Sequence, residues 1–291
     1  MDLDEARGGA RLIDGPVYAD LSDWHTVLVR GYDARGWLND LLTADIDHLG
    51  TGSARPALLL SPTGRIRAMV TVGSIQAGLI LLQDPRQPSA IDALLAPYLL
   101  SSDVELADAS ESMTLLAFPE AEPPDMPGAE SLRPSCLGPG ADLLVSGKPR
   151  ESSLKGLVRV SHETVEAWRI HRGIPRFPVD LTPESLPHEA DLDTAIDYGK
   201  GCYLGQEAVA KVRNLGHPPW VVLSMRAEGP VAAGDAVVGD GDGEVGTVTS
   251  AATVDGHAAV IARVRWSARD LALVTASGTP LQTSGLASTA A

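Results

Sequence analysis

The order of apolar and polar positions predicts alternating strands and helices in the first part of the chain. Residues 27–29 form a short apolar run, Gly31 interrupts it, and residues 33–43 follow with helical spacing. Asp33 is suited to the N-cap position, and the large apolar side chains of that segment share one face, namely Trp37, Leu38, Leu41 and Leu42. The pattern therefore predicts a strand, a turn and an amphipathic helix.

The next segments follow the same rules. Two β-rich runs flank Ser61-Pro62-Thr63-Gly64, a combination typical of a hairpin turn. Further along, the pattern predicts a strand at 79–82, a helix at 89–99, a loop at 120–139, a helix at 161–173 that ends at a glycine, and a helix at 205–213.

After Gly216-His217-Pro218-Pro219, short β-like runs alternate with glycine turns as far as Val274. This alternation predicts a small barrel or sandwich. We therefore expect two regions, residues 1–217 and residues 218–291, and the small polar residues from 277 onward are expected to form a frayed tail. The segment GDGDGEVG at 239–246 is interpreted as a hairpin turn, because a strand and not a helix follows it.

Composition narrows the functional classes. The chain has 291 residues, of which 44% are hydrophobic and 21% charged, with a net charge of −15. An acidic chain without a basic patch is not expected to bind nucleic acid or a membrane surface. No apolar run approaches the length of a membrane span, and the acidic N-terminus lacks the apolar region of a secretory signal. We expect a cytoplasmic protein.

The candidate chemistry centres on the stretch KGCYLGQEAVAK at 200–211. The chain has two cysteines, Cys136 and Cys202, which are far apart in sequence, so neither a structural disulfide nor a metal site follows from them alone. If the helix starts near Gly205, Cys202 lies just before its N-terminus, where backbone N–H groups favour an anion. With Lys200 nearby, both influences favour the thiolate. The alternative is that Cys202 is a small buried hydrophobe.

The stretch KGCYLGQE resembles the signature K-G-C-Y-x-G-Q-E of the YgfZ family, which is related to the T-protein (aminomethyltransferase) of the glycine cleavage system. Each fixed position of the signature is matched, by Lys200, Gly201, Cys202, Tyr203, Gly205, Gln206 and Glu207. Other segments are similar to family patterns in family order: L-x-T-x-D-I at 41–46, P-x-G-R-I at 62–66, R-x-x-x-G-x-P at 169–175 and G-x-V-T-S at 246–250.

The resemblance implies an α+β fold, with two α+β lobes around a central cavity and a C-terminal β-barrel. It also implies a tetrahydrofolate or folate-like ligand in that cavity, and a role in making or repairing iron–sulfur proteins, which would be the clients. Cys202 would be the reactive centre with Lys200 as its helper, and Gln206 and Glu207 would be polar partners. Tyr203 could stack on a flat ligand or pack in the core.

Two departures from the T-protein pattern affect the expected activity. Where the T-protein hairpin carries a carboxylate for aminomethyl transfer, this chain has Ala68 and Met69, so that activity is not expected. Where the T-protein has a glutamate that pairs with the pterin ring, this chain has His171, whose neutral imidazole offers one donor and one acceptor.

Three arginines near that histidine extend the expected ligand site. Arg169, Arg172 and Arg176 could grip a glutamate tail or another carboxylate. The alternative is that they pair with acidic residues of the chain, namely Glu163, Glu166 or Asp180.

Whether the chain is an enzyme stays open at this stage. The leading interpretation is an accessory protein for iron–sulfur protein maturation that binds a folate-like ligand. One rival is a folate-dependent one-carbon transferase, or another enzyme on the same fold. The other is a non-catalytic folate-sensing module, for which Cys202 would be dispensable. A role in carrying a cluster would need an added thiol or a second chain, because the motif contains one cysteine.

Overall fold

A computed structural model describes residues 16–100, 102–239, 243–254 and 256–284. Their contacts divide the chain into two compact units. The sheet unit comprises residues 16–159 and 193–206, and the barrel unit comprises the described parts of 160–192 and 207–284. This division follows spatial compactness, and the boundary expected between residues 217 and 218 stays a prediction.

The sheet unit contains a first five-stranded antiparallel sheet in the order β3-β4-β5-β2-β6. Its strands are β2 (His25–Arg30), β3 (Ala54–Leu60), β4 (Ile66–Ile75), β5 (Gly78–Gln83) and β6 (Glu105–Asp108). Helix α1 (Ala34–Leu41) packs on it, with Trp37, Leu38 and Leu41 buried as the spacing predicted. Asp33 precedes the helix, but its carboxylate accepts from the Asp103 N–H and makes no cap hydrogen bond.

A second five-stranded sheet has the order β10-β1-β7-β9-β8. Its strands are β1 (Val17–Asp20), β7 (Met113–Phe118), β8 (Ala129–Leu132), β9 (Ala141–Ser146) and β10 (Val158–Val160). A parallel bridge between Ser53 and Arg133 joins it to the first sheet. The side chain of Leu132 lies where a Cβ on Gly73 would be, which lets the two sheets approach closely.

The barrel unit contains a closed barrel in the order β11-β14-β13-β12-β15-β16. Its strands are β11 (Trp220–Ala227), β12 (Ala236–Gly239), β13 (Gly243–Val254), β14 (His257–Arg265), β15 (Leu273–Thr275) and β16 (Pro280–Thr283). Helix α3 (His162–His171) packs through Ala167 and Ile170 against its outer face. The α3 ends agree with the sequence: Ser161 caps the start, and Gly173 follows the end with φ +68°. Helix α4 (Gln206–Leu215) begins with the last two residues of the cysteine motif.

Three expectations about local structure are wrong. The loop predicted at 120–139 contains β8, where Leu132 is fully buried, because pairing with β9 outweighs the Pro- and Gly-rich composition. The helix predicted at 89–99 is α2 (Ile91–Leu95) followed by a 3₁₀ turn, since Pro97 has no N–H to continue the α-helix. The tail expected to fray from 277 includes β16, which closes the barrel.

Two further expectations reach beyond the described residues. Residues 285–291 of the tail lie outside them, and so do 240–242 at the centre of the predicted GDGDGEVG turn. The strands on either side of that turn, β12 and β13, pair antiparallel, with Gly239 opposite Gly243.

A buried carboxylate in the second sheet gives the unfolding free energy a pH dependence. Asp142 on β9 is fully buried and accepts hydrogen bonds from the Ser135 hydroxyl and from the Cys136 N–H at 2.7 Å. Burial raises its pKa from 3.8 to about 6, because these neutral donors only partly replace the lost hydration. The native state therefore binds the proton more tightly than the unfolded chain does.

We expect Asp142→Asn to remove this dependence. In the wild type, the contribution of the raised pKa to the unfolding free energy is fully present below pH 3.8 and is lost as the pH rises through about 6. This contribution amounts to about 3 kcal/mol. An asparagine can accept from Cys136 and donate to Ser135. Urea unfolding at a series of pH values measures the effect, and a variant with an unchanged slope between pH 3.8 and 6 would contradict it.

Candidate functional site

Cys202 lies on an exposed loop of the sheet unit. The alternative of a buried hydrophobic cysteine is therefore wrong. The other cysteine, Cys136, is partly buried, and burial followed by the nearby Asp142 carboxylate raises the pKa of its thiol well above the ordinary value. Of the two thiols, only that of Cys202 is openly presented to solvent, and its predicted reactivity stays a prediction.

Lys200 fixes the start of the loop. Its ammonium group donates to three backbone carbonyl oxygens around the end of α1, those of Asn39 at 2.5 Å, Leu42 at 2.8 Å and Ala44 at 2.7 Å. The last carbonyls of a helix have no intrahelical partner, and a cation there also suits the helix dipole. An ammonium group has three donors, so all are used in this cap. Its predicted help to Cys202 stays a prediction.

Gly205 fixes the end of the loop against the predicted hairpin turn, which the structure confirms between β3 and β4. The backbone of Gly205 has φ +86°, and a Cβ there would lie 2.6 Å from the Ser61 oxygen and 3.0 Å from the Leu60 Cβ. Only glycine tolerates both the conformation and the close approach. The P-x-G-R-I segment and the cysteine motif therefore meet in space.

A threonine of the L-x-T-x-D-I segment holds the chain that leads into the loop. The fully buried Thr43 hydroxyl donates to the Ala195 oxygen at 2.5 Å and accepts from the Leu58 N–H at 2.8 Å. Its backbone oxygen accepts from the Asp197 N–H at 2.9 Å. The Asp197 carboxylate in turn accepts from the Lys200 N–H at 3.0 Å. Sequence reasoning missed Thr43 and Asp197, although Thr43 lies inside a segment already noted as family-like.

The remaining motif residues differ in exposure. Tyr203 is only 6% exposed, and the Lys200 ammonium lies 5.5 Å from its ring centroid, which favours core packing over stacking on a ligand. Leu204 packs against the core of the first sheet. Gln206 begins α4, one residue after the expected start, and Glu207 is exposed in its first turn. Ligand binding by Tyr203, Gln206 and Glu207 stays a prediction.

Arg169 lies in the barrel unit with every N–H group bound to protein. It donates to both Glu166 oxygens, and to Asp180 at 2.7 Å, the Ile174 oxygen at 3.0 Å and Ser250 at 2.9 Å. A guanidinium group has five donors, and these contacts use all of them. The structure therefore confirms, for Arg169, the alternative that the arginines pair with acidic residues of the chain. A ligand could bind Arg169 only by displacing one of these acceptors.

Asp180 joins two of the family-like segments. It is fully buried and accepts from Arg169, from the Thr249 hydroxyl at 2.6 Å and from the Ser250 hydroxyl at 2.7 Å. The R-x-x-x-G-x-P segment and the G-x-V-T-S segment of β13 are thus connected through one carboxylate. Asp180 was predicted only as a possible ion-pair partner of the arginines, and its hydrogen bonds with Thr249 and Ser250 were not predicted.

The other predicted ligand arginine in this region is also engaged. The Arg176 side chain pairs with Glu166, and its backbone N–H donates to Asp180 at 2.8 Å. The role of Arg176 in binding a cofactor therefore stays a prediction, and its guanidinium already forms an ion pair with Glu166. Arg172 follows α3 as its C-cap residue.

His171 lines a cavity of about 440 Å³ in the barrel unit. It is the last residue of α3, and the cavity walls also include Arg226, His257 and Ser284. His171 thus lines a cavity, whereas Arg169 in the same turn of α3 is bound to acidic residues and other acceptors of the chain. Its predicted contact with a cofactor stays a prediction.

Ala68 and Met69 lie on β4 opposite Leu59 and Leu58. Ala68 is fully buried, and the backbone of Met69 exchanges hydrogen bonds with the Gln87 side chain at 3.0 and 2.6 Å. Neither position offers the carboxylate that the T-protein pattern has there.

Among the described residues, no group of three or more His, Cys, Asp or Glu side chains is arranged to hold a metal ion. None of the helices in this part of the chain combines the length and the apolar character that crossing a membrane requires.

Comparisons with known proteins agree on one fold. No family model matches the chain. A solved structure of the glycine cleavage system aminomethyltransferase T from Bartonella henselae superposes with a TM-score of 0.75, covering 91% of this chain and 84% of that one at 17% identity. The T-protein fold expected from the sequence, with mixed helices and strands and a C-terminal barrel, is confirmed.

Curated relatives share about a quarter of their aligned residues with this chain. The tRNA-modifying protein YgfZ of Aliivibrio fischeri is 26% identical over 270 residues, which is 84% of this chain and 83% of the relative. A putative chloroplastic transferase of Arabidopsis thaliana is 25% identical over 81% of this chain. A mitochondrial iron–sulfur cluster assembly factor IBA57 homologue of Cryptococcus neoformans is 25% identical over 72% of it. The alignments span only 62% of the Arabidopsis protein and 66% of the Cryptococcus protein.

We expect Gly205→Ala to destabilise the protein by about 2–4 kcal/mol, because the Cβ adds strain at positive φ and a clash with the Ser61 backbone. Gly201→Ala is the matched control, since a Cβ at Gly201 would meet nothing within 4 Å, and it should change the stability by less than about 1 kcal/mol. Urea denaturation measures both variants. Equal effects would contradict the proposed anchoring of Gly205.

We expect Lys200 to titrate well below an ordinary lysine. Burial lowers its pKa from 10.5 to about 8, against the opposing attraction of four nearby aspartates, Asp45, Asp197, Asp40 and Asp47. Between about pH 8 and 10.5 the unfolded chain then binds more protons than the native state, so this group makes the unfolding free energy rise with pH across that window.

Side-chain NMR of ¹⁵N-lysine-labelled protein checks this value. One lysine resonance should titrate near pH 8 and should be missing from Lys200→Arg but present in Lys211→Arg. A Lys200 resonance that titrates at 10.5 would show the prediction to be wrong.

Proposed function

Since the chain belongs to the YgfZ family within the glycine cleavage T-protein superfamily, we propose that it is an accessory protein for the assembly or repair of iron–sulfur proteins. In this proposal Cys202 is the reactive group and iron–sulfur proteins are the clients. The names of the YgfZ and IBA57 relatives support the proposed role. In this proposal the protein works in the cytoplasm.

The observation that carries the proposal is an exposed thiol on a loop whose two flanks are fixed. Lys200 caps α1 on one side, and Gly205 packs on the β3–β4 turn on the other. A cysteine that served packing alone would be buried, whereas Cys202 faces solvent. A thiolate presented in this way can attack an electrophile or bind a metal ion.

The motif contains a single cysteine, and iron–sulfur clusters in proteins are commonly held by four thiolates. A transient ligand or thiol-exchange role therefore fits one exposed cysteine better than permanent cluster binding. This supports an accessory role over that of a cluster scaffold.

The proposed small-molecule ligand is tetrahydrofolate or a folate derivative, as the family resemblance implies. Arg169 and Arg176 are already paired with acidic residues of the chain. Folate recognition would therefore rely on other side chains, or on opening one of these ion pairs.

A transferase is the second candidate function, and the Arabidopsis relative named as a putative transferase favours it. Aminomethyl transfer itself is not proposed, because Ala68 and Met69 stand where the T-protein pattern has its carboxylate. Turnover of tetrahydrofolate with an amine donor by the purified protein would favour this candidate over the accessory role.

We expect Cys202→Ala to abolish function, with Cys136→Ala as the matched control. Cys136 contributes its backbone N–H to Asp142, which an alanine keeps, so the control should remain active. The measurement is the activity of an iron–sulfur enzyme in cells that lack the native protein and carry each variant. Full activity with Cys202→Ala would contradict the proposal and favour a binding module instead.

A further inference from the structure

The cavity beside His171 is built entirely within the barrel unit. It lies at the C-terminal end of α3, on the outer side of the barrel, and its volume is about 440 Å³. Pockets for small organic ligands have volumes of about 300–1,000 Å³. The cavity is therefore large enough for a ligand of this class.

The polar walls of this cavity offer hydrogen-bond donors and positive charge. They consist of Arg226 from β11, the imidazoles of His171 and His257, and the Ser284 hydroxyl. None of the described residues that line the cavity is acidic, although the chain as a whole has a net charge of −15. A cavity of this composition in an acidic protein favours an anion over a cation.

The remaining walls are apolar. Met225, Val254, Ala258 and Ala259 are buried residues that line the same cavity. An inorganic anion would leave these surfaces uncovered, whereas an organic anion would bury them. The combination therefore favours a ligand with an apolar body and an acidic group.

We propose that this cavity binds an organic carboxylate, with the Arg226 guanidinium on the carboxylate and with His171 and Ser284 as the neighbouring polar residues. Arginine matches the geometry of a carboxylate with two parallel N–H groups. The cavity is suited to the acidic part of its ligand. It is not suited to a pterin ring, because the N–H and amino donors of that ring require a carboxylate such as the glutamate of the T-protein pattern. The site goes beyond the proposed role of Cys202, and either can fail without the other.

The ligand could be a free aromatic or aliphatic acid, or the glutamate end of a folate. Titration calorimetry on the full chain separates these sources with four probes. p-Aminobenzoylglutamate carries the acidic tail alone, its diamide has the same shape without charge, tetrahydrofolate carries tail and ring, and 6-methyltetrahydropterin carries the ring alone. We expect binding of p-aminobenzoylglutamate and no binding of the diamide or the pterin. Tetrahydrofolate binding in addition would assign the folate source, and its absence would assign a free acid.

Arg226→Gln should weaken the binding of p-aminobenzoylglutamate about tenfold or more, as expected for loss of a charge-assisted hydrogen bond. Arg226 is exposed on a strand, so the variant should fold. Arg86→Gln is the control, because it removes the same charge from an exposed loop position of the sheet unit and should leave the affinity unchanged.

Three results would overturn the proposal: no saturable binding of p-aminobenzoylglutamate, equal binding of the acid and its diamide, or equal affinities of Arg226→Gln and Arg86→Gln. None of them bears on the Cys202 experiment in cells.

Discussion

The ammonium group of Lys200 at the end of α1 is the contact on which the presentation of Cys202 depends. It connects the loop to the backbone oxygen of Asn39 in the last turn of α1 and to those of Leu42 and Ala44 just after it. This half-buried cation is tolerated there because its donors are satisfied and because several aspartates surround it. Thr43 and Gly205 then fix the chain before and after the thiol.

The family-like segments meet through buried contacts within each unit. In the sheet unit, the end of α1, the β3–β4 turn and the cysteine motif meet at one place. In the barrel unit, Asp180 connects the segment after α3 with β13. These contacts hold the backbone, whereas Cys202 and Arg226 are exposed.

Sequence reasoning identified the elements that rest on local rules. The α1 face, the β3–β4 turn, the Gly173 stop and the barrel strands follow from periodicity and turn chemistry. It failed where long-range pairing decides the outcome, as for β8 and β16. It did not predict that Lys200, interpreted as a helper of the Cys202 thiolate, uses its donors on backbone oxygens. For Arg169 it left ligand binding and ion pairing both open, and the structure shows the ion pairs.

The Thr43–Ala195 hydrogen bond joins residues 152 positions apart. Contacts of such separation form late in folding, since a long stretch of chain must be ordered before they are gained. During synthesis, the segment that carries Cys202 leaves the ribosome only after both sheets. The loop that presents Cys202 is therefore fixed only after the strands of both sheets have been synthesised.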